Sequence, residues 1–127
     1  MTRVLALVPD LLFGSRVQSA LRAAGHEIEL IGDERRLRAR LKEARERPTP
    51  AGVLVVDLTD AELDGASVVE ALAGDGELGR MRTLGFYSHV DAQVRERAER
   101  AGFDLVVPRS RMAREGPELV GRVALGS

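Results

Sequence analysis

The chain contains no cysteine and no tryptophan, and it has a single lysine, Lys42, and a single tyrosine, Tyr87. The lack of cysteine excludes disulfides, thiolate catalysis and sulfur-ligated zinc, and it fits a reducing compartment. Long apolar runs are also missing, since the run at 4–8 is far shorter than the roughly 20 residues that span a bilayer. Residues 1–20 lack a charged leader followed by a long apolar segment. These absences predict a cytoplasmic protein with no membrane association.

The chain also has almost no excess of either sign of charge, because its formal net charge is only −1. The molecule as a whole therefore has no attraction for nucleic acid or anionic membranes. What is present is an ordinary globular composition, with 44% apolar and 31% charged residues in 127 positions. This size and balance predict one domain that covers residues 1–127.

Five short apolar runs, each followed by a segment of helical period, predict an alternating β/α order. The predicted strands are 4–8, 28–31, 53–56, 83–87 and 105–107. Apolar runs without alternation are typical of a parallel sheet that is covered on both faces. Right-handed crossovers then place helices on both sides of an open sheet.

The helices are predicted from apolar stripes and from residues that end a helix. The stripes are Phe13, Val17 and Leu21; Leu37, Leu41 and Ala44; Val68, Val69 and Leu72; Val94, Ala98 and Ala101; and Leu119, Val120 and Val123. Gly25 and Gly102 are predicted left-handed caps, and Pro48 and Pro50 end the second helix. Asp91 is a predicted cap of the fourth helix, and Pro117 is placed in the first turn of the fifth. The segments 73–82 and 109–116 are predicted to be the loosest.

Three groups of residues resemble the receiver domain of bacterial two-component response regulators. They are 3–7 with 23–28, then 53–57 followed by Asp64 and Gly65, and finally 88–98 followed by 101–104. The resemblance covers nearly the whole chain. It implies a flavodoxin-like α/β fold, (βα)5, with a five-stranded parallel sheet in the order 2-1-3-4-5 and helices on both faces.

The same resemblance implies a set of site positions, of which this chain keeps few. Asp57 matches the phosphoacceptor aspartate, but Val8 and Pro9 stand where an acidic pair holds Mg²⁺, and Asp10 follows one position late. Asp10 and Asp57 are therefore the only metal-ligand candidates, because the other two side chains supply no oxygen.

The two positions that bind the phosphate are also altered. Tyr87 stands at the position of a small hydroxyl residue, with Ser88 beside it. Pro108 stands at the position of a lysine, with Arg109 following it. A proline offers no cation, and an arginine one residue later binds a phosphate only if the loop places it there.

These changes predict a stand-alone receiver-like module that has no output domain and acts by protein contact, without normal aspartyl phosphorylation. It is expected to be no enzyme and to need no cofactor. The expected partner is a kinase, a transcription factor, a motility protein or a second copy of the chain as a homodimer. The predicted partner face includes Tyr87, Arg95, Arg109 and Arg111.

Two other functions stay open at this point. One is an atypical phosphoacceptor in a two-component phosphorelay that uses Asp57, Asp10, Ser88 and Arg109 with Mg²⁺, whose only catalysis is its own phosphorylation. The other is a small-ligand module that binds a nucleotide.

Two surface patterns also have more than one interpretation. The apolar residues Val8, Pro9, Leu11 and Leu12 form a docking surface or fill the metal pocket, or else Leu12 joins Phe13 in the core and Leu11 is simply exposed. The basic residues of the second helix, interleaved with Glu34, Glu43 and Glu46, are either a nucleic-acid patch or, as we expect, a solvated face with ion pairs.

Overall fold

The computed structural model describes residues 2–47, 52–88 and 91–126. In these ranges five strands and five helices alternate. The strands are β1 (Arg3–Leu7), β2 (Glu27–Ile31), β3 (Val53–Asp57), β4 (Arg82–Tyr87) and β5 (Leu105–Pro108). The helices are α1 (Leu11–Ala23), α2 (Glu34–Glu46), α3 (Gly65–Gly74), α4 (Ala92–Ala101) and α5 (Arg109–Ala124). Among these helices, none has both the length and the apolar character needed to cross a membrane.

All strands are parallel and follow the order β2-β1-β3-β4-β5, so the predicted fold class and strand order are confirmed. The central strand β3 is buried at every position, as expected for a strand covered on both faces. Its register fixes the neighbours, with Val53 beside Val4 on one side and beside Arg82 on the other.

Two apolar cores lie on opposite faces of the sheet. One is built with α1 and α5, and it contains Phe13, Leu21, Phe86 and Val120. The other is built with α2, α3 and α4, and it contains Leu37, Leu41, Leu72 and Ala98. The predicted helix stripes are thereby confirmed, although Ala44 and Val94 are only partly buried.

Four helices begin at an aspartate whose carboxylate accepts backbone N–H bonds of the first turn. These caps are Asp10, Asp33, Asp64 and Asp91, of which the sequence pattern predicted only Asp91. Such caps satisfy donors that a helix start leaves without partners. The predicted left-handed glycines are confirmed, with φ of 90° at Gly25 and 100° at Gly102. The predicted stops at Pro48 and Pro50 lie outside the described residues.

The last helix starts earlier than predicted. The segment 109–116, predicted to be loose, is helical from Arg109 onward, and Pro117 lies inside α5. The backbone leaves helical geometry at Glu115, with φ of −125° and ψ of 16°. Pro117 stands two residues after this break, where it is tolerated as in a first turn. The burial of Met112 against the first core explains why the helix extends back to Arg109.

The exposed face of α2 is occupied largely by ion pairs. Arg38 contacts Glu34 at 2.8 Å and also pairs with Glu77, and Arg40 contacts Glu29 at 2.7 Å. The hydrogen bond with Glu34, followed by the negative charge of Glu77, raises the pKa of Arg38 above its ordinary value. This part of α2 is thus a solvated, ion-paired face rather than a free basic patch.

At Gly85 the second core packs so closely on β4 that it leaves no room for a side chain. A Cβ atom there would lie 2.8 Å from Leu58 Cδ1 and 3.0 Å from two ring atoms of Phe103. We therefore expect Gly85→Ala to lower the free energy of unfolding by about 1–3 kcal/mol through overpacking. Denaturant unfolding measures this change.

Gly121→Ala is the matched control, because nothing lies within 4 Å of its Cβ position inside α5. This control should raise the free energy of unfolding by roughly 0.5–1 kcal/mol. Equal stability of Gly85→Ala and the wild type would contradict the packing described for β4.

Candidate functional site

The sheet brings the sequence-predicted site residues to one edge, where its parallel strands end. Asp57, Tyr87 and Pro108 are the last residues of β3, β4 and β5. Asp10 caps α1 just after β1, and Arg109 opens α5. We call this region the carboxyl edge. It is where open α/β sheets usually place their sites.

Asp57 is enclosed by the turn that follows it. Its side chain is 2% exposed, and its Oδ1 accepts hydrogen bonds from the Thr59 backbone N–H at 2.8 Å and the Thr59 hydroxyl at 2.5 Å. The backbone is also held in place, because the Leu58 N–H donates to the Phe86 carbonyl at 2.9 Å. Local bonds of this kind satisfy a carboxylate within its own loop. One oxygen of Asp57 is therefore occupied before any ligand arrives.

The predicted Asp64–Gly65 pair has a structural reason in this loop. Asp64 adopts a left-handed conformation with φ of 48° and caps α3. A Cβ on Gly65 would lie 2.5 Å from Val56 Cγ1 and 3.3 Å from the Asp57 carbonyl oxygen. Glycine is needed at this position because α3 starts in direct contact with the end of β3.

Asp10 and Arg109 neutralise each other at the carboxyl edge. Asp10 Oδ1 accepts the backbone N–H groups of Leu12 and Phe13, both at 3.1 Å, and its Oδ2 lies 3.1 Å from Arg109 Nη2. The Arg109 guanidinium carbon also stands 4.2 Å from the centre of the Phe13 ring, in a cation–π contact. Phe13 in turn packs against Phe86, with ring centroids 5.0 Å apart. The arginine is thus anchored over the start of α1.

The residues at the acidic-pair positions do not fit a Mg²⁺ ion. Val8 is buried in the first core, and its backbone N–H donates to the Ile31 carbonyl at 3.2 Å. Pro9 has no side-chain oxygen, and both Asp10 oxygens already accept bonds within the protein. Within the described part of the chain, no three acidic or histidine side chains form a metal-binding group. Mg²⁺ requires several oxygen ligands in near-octahedral geometry, which this donor set does not offer.

The assignment of Tyr87 to the exposed partner face was wrong. The tyrosine is 6% exposed and packs in the second core, beneath α4. The ring is large and mostly apolar, so burying it in the core that also contains Leu58 and Phe103 is favourable. Ser88, one residue later, is exposed and lies with Arg109 along an open depression at the carboxyl edge. His89 lies outside the described residues.

The other arginines of the predicted partner face are paired along their own helices. Arg95 contacts Glu99 at 3.5 Å on α4, and Arg111 contacts Glu115 at 3.4 Å on α5. Both pairs are solvent-exposed, and such pairs contribute little to stability. Their charges are nevertheless partly offset, which makes this face less basic than its arginine content indicates.

Two leucines project from the same edge into solvent. Leu11 is 76% exposed and Leu12 is 83% exposed, at the start of α1 beside Asp10. Val8 belongs to the core, but Leu12 does not join Phe13 there as one interpretation expected, so Leu11 and Leu12 form an exposed apolar pair. Single exposed leucines are common, but two adjacent ones at a strand-end edge form a larger apolar surface.

Sequence reasoning missed two residues that shape the edge. Thr59 stands two positions after Asp57, a spacing at which Ser and Thr often bond to a preceding carboxylate or backbone, so a local signal existed. Phe13 was predicted as core only, and its contact with Arg109 joins residues 96 positions apart in the chain. No local sequence pattern predicts a contact between residues so far apart in the chain.

No protein-family model and no curated protein matches this chain. Solved structures do match it over nearly its whole length. The Francisella response regulator 1452 receiver domain is 14% identical, with 98% of each chain covered and a TM-score of 0.77. Vibrio cholerae chemotaxis protein CheY4 is 19% identical, with 97% of this chain and 98% of that chain covered and a TM-score of 0.75. FixJ-N is 17% identical, with 98% and 94% covered and a TM-score of 0.82.

At these identities the comparisons establish the architecture. They agree with the strand order and with the two helical layers. The chain therefore has the fold of response-regulator receiver domains.

Proposed function

We propose that this chain is a receiver-like signalling module of the bacterial cytoplasm that acts by protein contact and without ordinary phosphorylation of Asp57. The observation that carries the proposal is that Asp57 and Arg109 are both held by partners within the protein. Arg109, the cation nearest in sequence to the lysine position, is held by Asp10 and Phe13. Asp57 is held by Thr59.

Electrostatics argue against a stable phosphoaspartate here. A phosphoryl group carries a charge of about −1.5 to −2 near neutral pH. Pro108 offers no cation, and Arg109 would have to leave both its carboxylate and its aromatic partner to reach the phosphate. Without that arginine, the new charge would lie in a mostly buried site with little to offset it, where charges interact more strongly than in water.

The exposed pair Leu11 and Leu12 is the proposed contact surface. It lies at the edge where the fold exposes its strand ends, and it is next to the Asp10–Arg109 ion pair. An apolar centre with a charged rim is the usual anatomy of a protein interface. The proposed partner is a signalling protein, such as a kinase, a transcription factor or a motility protein, or a second copy of the chain.

The second candidate is an atypical phosphoacceptor. It is favoured by the placement of Asp57 at the end of β3, on the same edge as Ser88 and Arg109. In that case Arg109 would exchange Asp10 for the phosphate. Only the second candidate forms a phosphoryl adduct on Asp57, so detecting that adduct distinguishes the two.

We expect wild-type protein incubated with acetyl phosphate or phosphoramidate and Mg²⁺ to keep its mass, as measured by intact mass spectrometry. Thr59→Val should stay unmodified too, because removing the hydroxyl bond to Asp57 Oδ1 supplies neither a metal ligand nor a cation. Asp57→Asn is the negative control, and a receiver that is phosphorylated under the same conditions is the positive one. A stoichiometric phosphoryl adduct on the wild type that is absent from Asp57→Asn would establish the second candidate.

The contact surface is tested by the double variant Leu11→Ser, Leu12→Ser. Both side chains are exposed, so we expect stability to stay within about 0.5 kcal/mol of the wild type. Leu125→Ser is the matched control, because Leu125 is 85% exposed at the far end of α5. A partner retained from a lysate of the source organism by the wild type and by Leu125→Ser should be depleted about tenfold from the double variant, a loss of 1.4 kcal/mol.

Quantitative mass spectrometry of the retained proteins measures this difference, and size-exclusion chromatography of the purified variants covers the case of a second copy. If the double variant retains the same proteins in the same amounts and keeps the same oligomeric state, this surface is not the contact site.

A further inference from the structure

A cavity of about 190 Å³ lies at the opposite edge of the sheet, where strands β1, β3 and β4 begin. We call this region the amino edge. It is separated from Asp57 by the length of β3, roughly 13 Å for the four residue steps from Val53. It is therefore a place distinct from the carboxyl edge and from everything proposed above.

The mouth of this cavity is basic. Four arginines line it, and no acidic residue is among the described residues that line it. The four are Arg3, Arg45, Arg47 and Arg80. For a chain whose formal net charge is −1, this is a strong local concentration of positive charge.

Three of these guanidinium groups are free to bind a ligand. Within the described ranges, the side chains of Arg3, Arg47 and Arg80 form no hydrogen bond or ion pair. Arg38 and Arg40 on α2, by contrast, are ion-paired. Asp75 and Glu77, which follow α3, pair with Arg38 instead. Glu27 lies beside Arg3 in the sheet but forms no ion pair with it, so within the described ranges these three arginines have no acidic partner.

The fourth arginine is fixed in place. Arg45 Nη1 donates to the Glu77 carbonyl at 2.6 Å, and its aliphatic stem packs on Gly79, whose Cβ position lies 3.2 Å from Arg45 Cγ. Gly79 has a φ of 58° in the loop between α3 and β4. A guanidinium held in advance loses less conformational freedom when it binds a ligand.

The floor of the cavity is apolar. Leu5 and Leu41 are buried there, and Leu78 and Met81 are partly buried. An anion alone would gain nothing from such a floor, whereas an anion carrying an apolar or heteroaromatic body would bury that body. Met81 adds an adaptable thioether, which suits a body of irregular shape.

We propose that this cavity binds a small organic phosphate, with the phosphate at the arginine mouth and the organic body on the apolar floor. Planar guanidinium forks match phosphate oxygens in bidentate geometry. The volume is below the roughly 300–1,000 Å³ of pockets for drug-sized ligands, so the ligand is no larger than a nucleoside monophosphate and stays partly exposed. The site is independent of Asp57 and of the Leu11–Leu12 surface.

Four probes separate the contributions of the two parts of the ligand. They are adenosine monophosphate, butyl phosphate, inorganic phosphate and adenosine, titrated into the full chain by calorimetry with backbone amide NMR. We expect saturable binding of at least one organic phosphate, about tenfold tighter than inorganic phosphate and than adenosine, and weaker at high salt. Tighter binding of adenosine monophosphate indicates a heteroaromatic ligand body, and tighter binding of butyl phosphate indicates an alkyl one.

Charge reversals locate the site. Arg47→Glu and Arg80→Glu should each weaken binding by about tenfold or more, and their exposure should leave the fold intact. Arg16→Glu is the matched control, because Arg16 is an exposed arginine on α1 at the opposite face of the sheet. Amide shifts should centre on Gly52, Gly79 and Met81.

Three outcomes would overturn the proposal. The first is no saturable binding of either organic phosphate. The second is equal affinity for inorganic phosphate or adenosine, which would remove one half of the recognition. The third is an equal loss in Arg16→Glu, or amide shifts centred on the carboxyl edge. None of these outcomes depends on whether Asp57 is phosphorylated or on whether Leu11 and Leu12 bind a partner.

Discussion

The covering of the sheet by helices on both faces is the constraint on which the other features depend. β3 is buried at all five positions, and two apolar cores occupy the space on either side of it. A polar group within such a layer would lose its hydration without a partner, which costs free energy. Chemistry is therefore confined to the two edges where strands end or begin. Both edges of this protein carry charged residues, and the two differ in how those charges are satisfied.

At the carboxyl edge the protein satisfies its own charges. Asp57 bonds to Thr59, and Asp10 divides its two oxygens between the start of α1 and Arg109. Each contact is modest on its own, since exposed ion pairs contribute little and a cation–π contact roughly 0.5–1 kcal/mol. Their combined effect is to hold the side chains that a metal or a phosphate would need. This restraint and the exposed leucines beside it are the basis of the protein contact proposed above.

At the amino edge the opposite condition holds. Arg3, Arg47 and Arg80 converge on one cavity mouth without acidic partners among the described residues, above an apolar floor. Like charges at short range repel, so this arrangement gains from an anionic ligand. The loop between α3 and β4 contributes to it directly, because Gly79 seats the stem of Arg45. The fold thus separates an edge whose arginine is ion-paired from an edge with arginines that have no ion pair, at opposite ends of the same strands.

The sequence by itself determined the alternation of strands and helices, and its resemblance to receiver domains implied the strand order. Unbroken apolar runs, helical stripes such as Leu37 and Leu41, and the left-handed glycines act over a few residues, so these signals are recognised without the rest of the fold. Only the tertiary structure decided which side chains at the carboxyl edge are buried and which are paired. It buried Tyr87, carried α5 back to Arg109, and joined that arginine to Asp10 across 99 positions of sequence. The physical reason is that these outcomes depend on which side chains from distant segments compete for the same space and the same charge, and no local pattern records that competition.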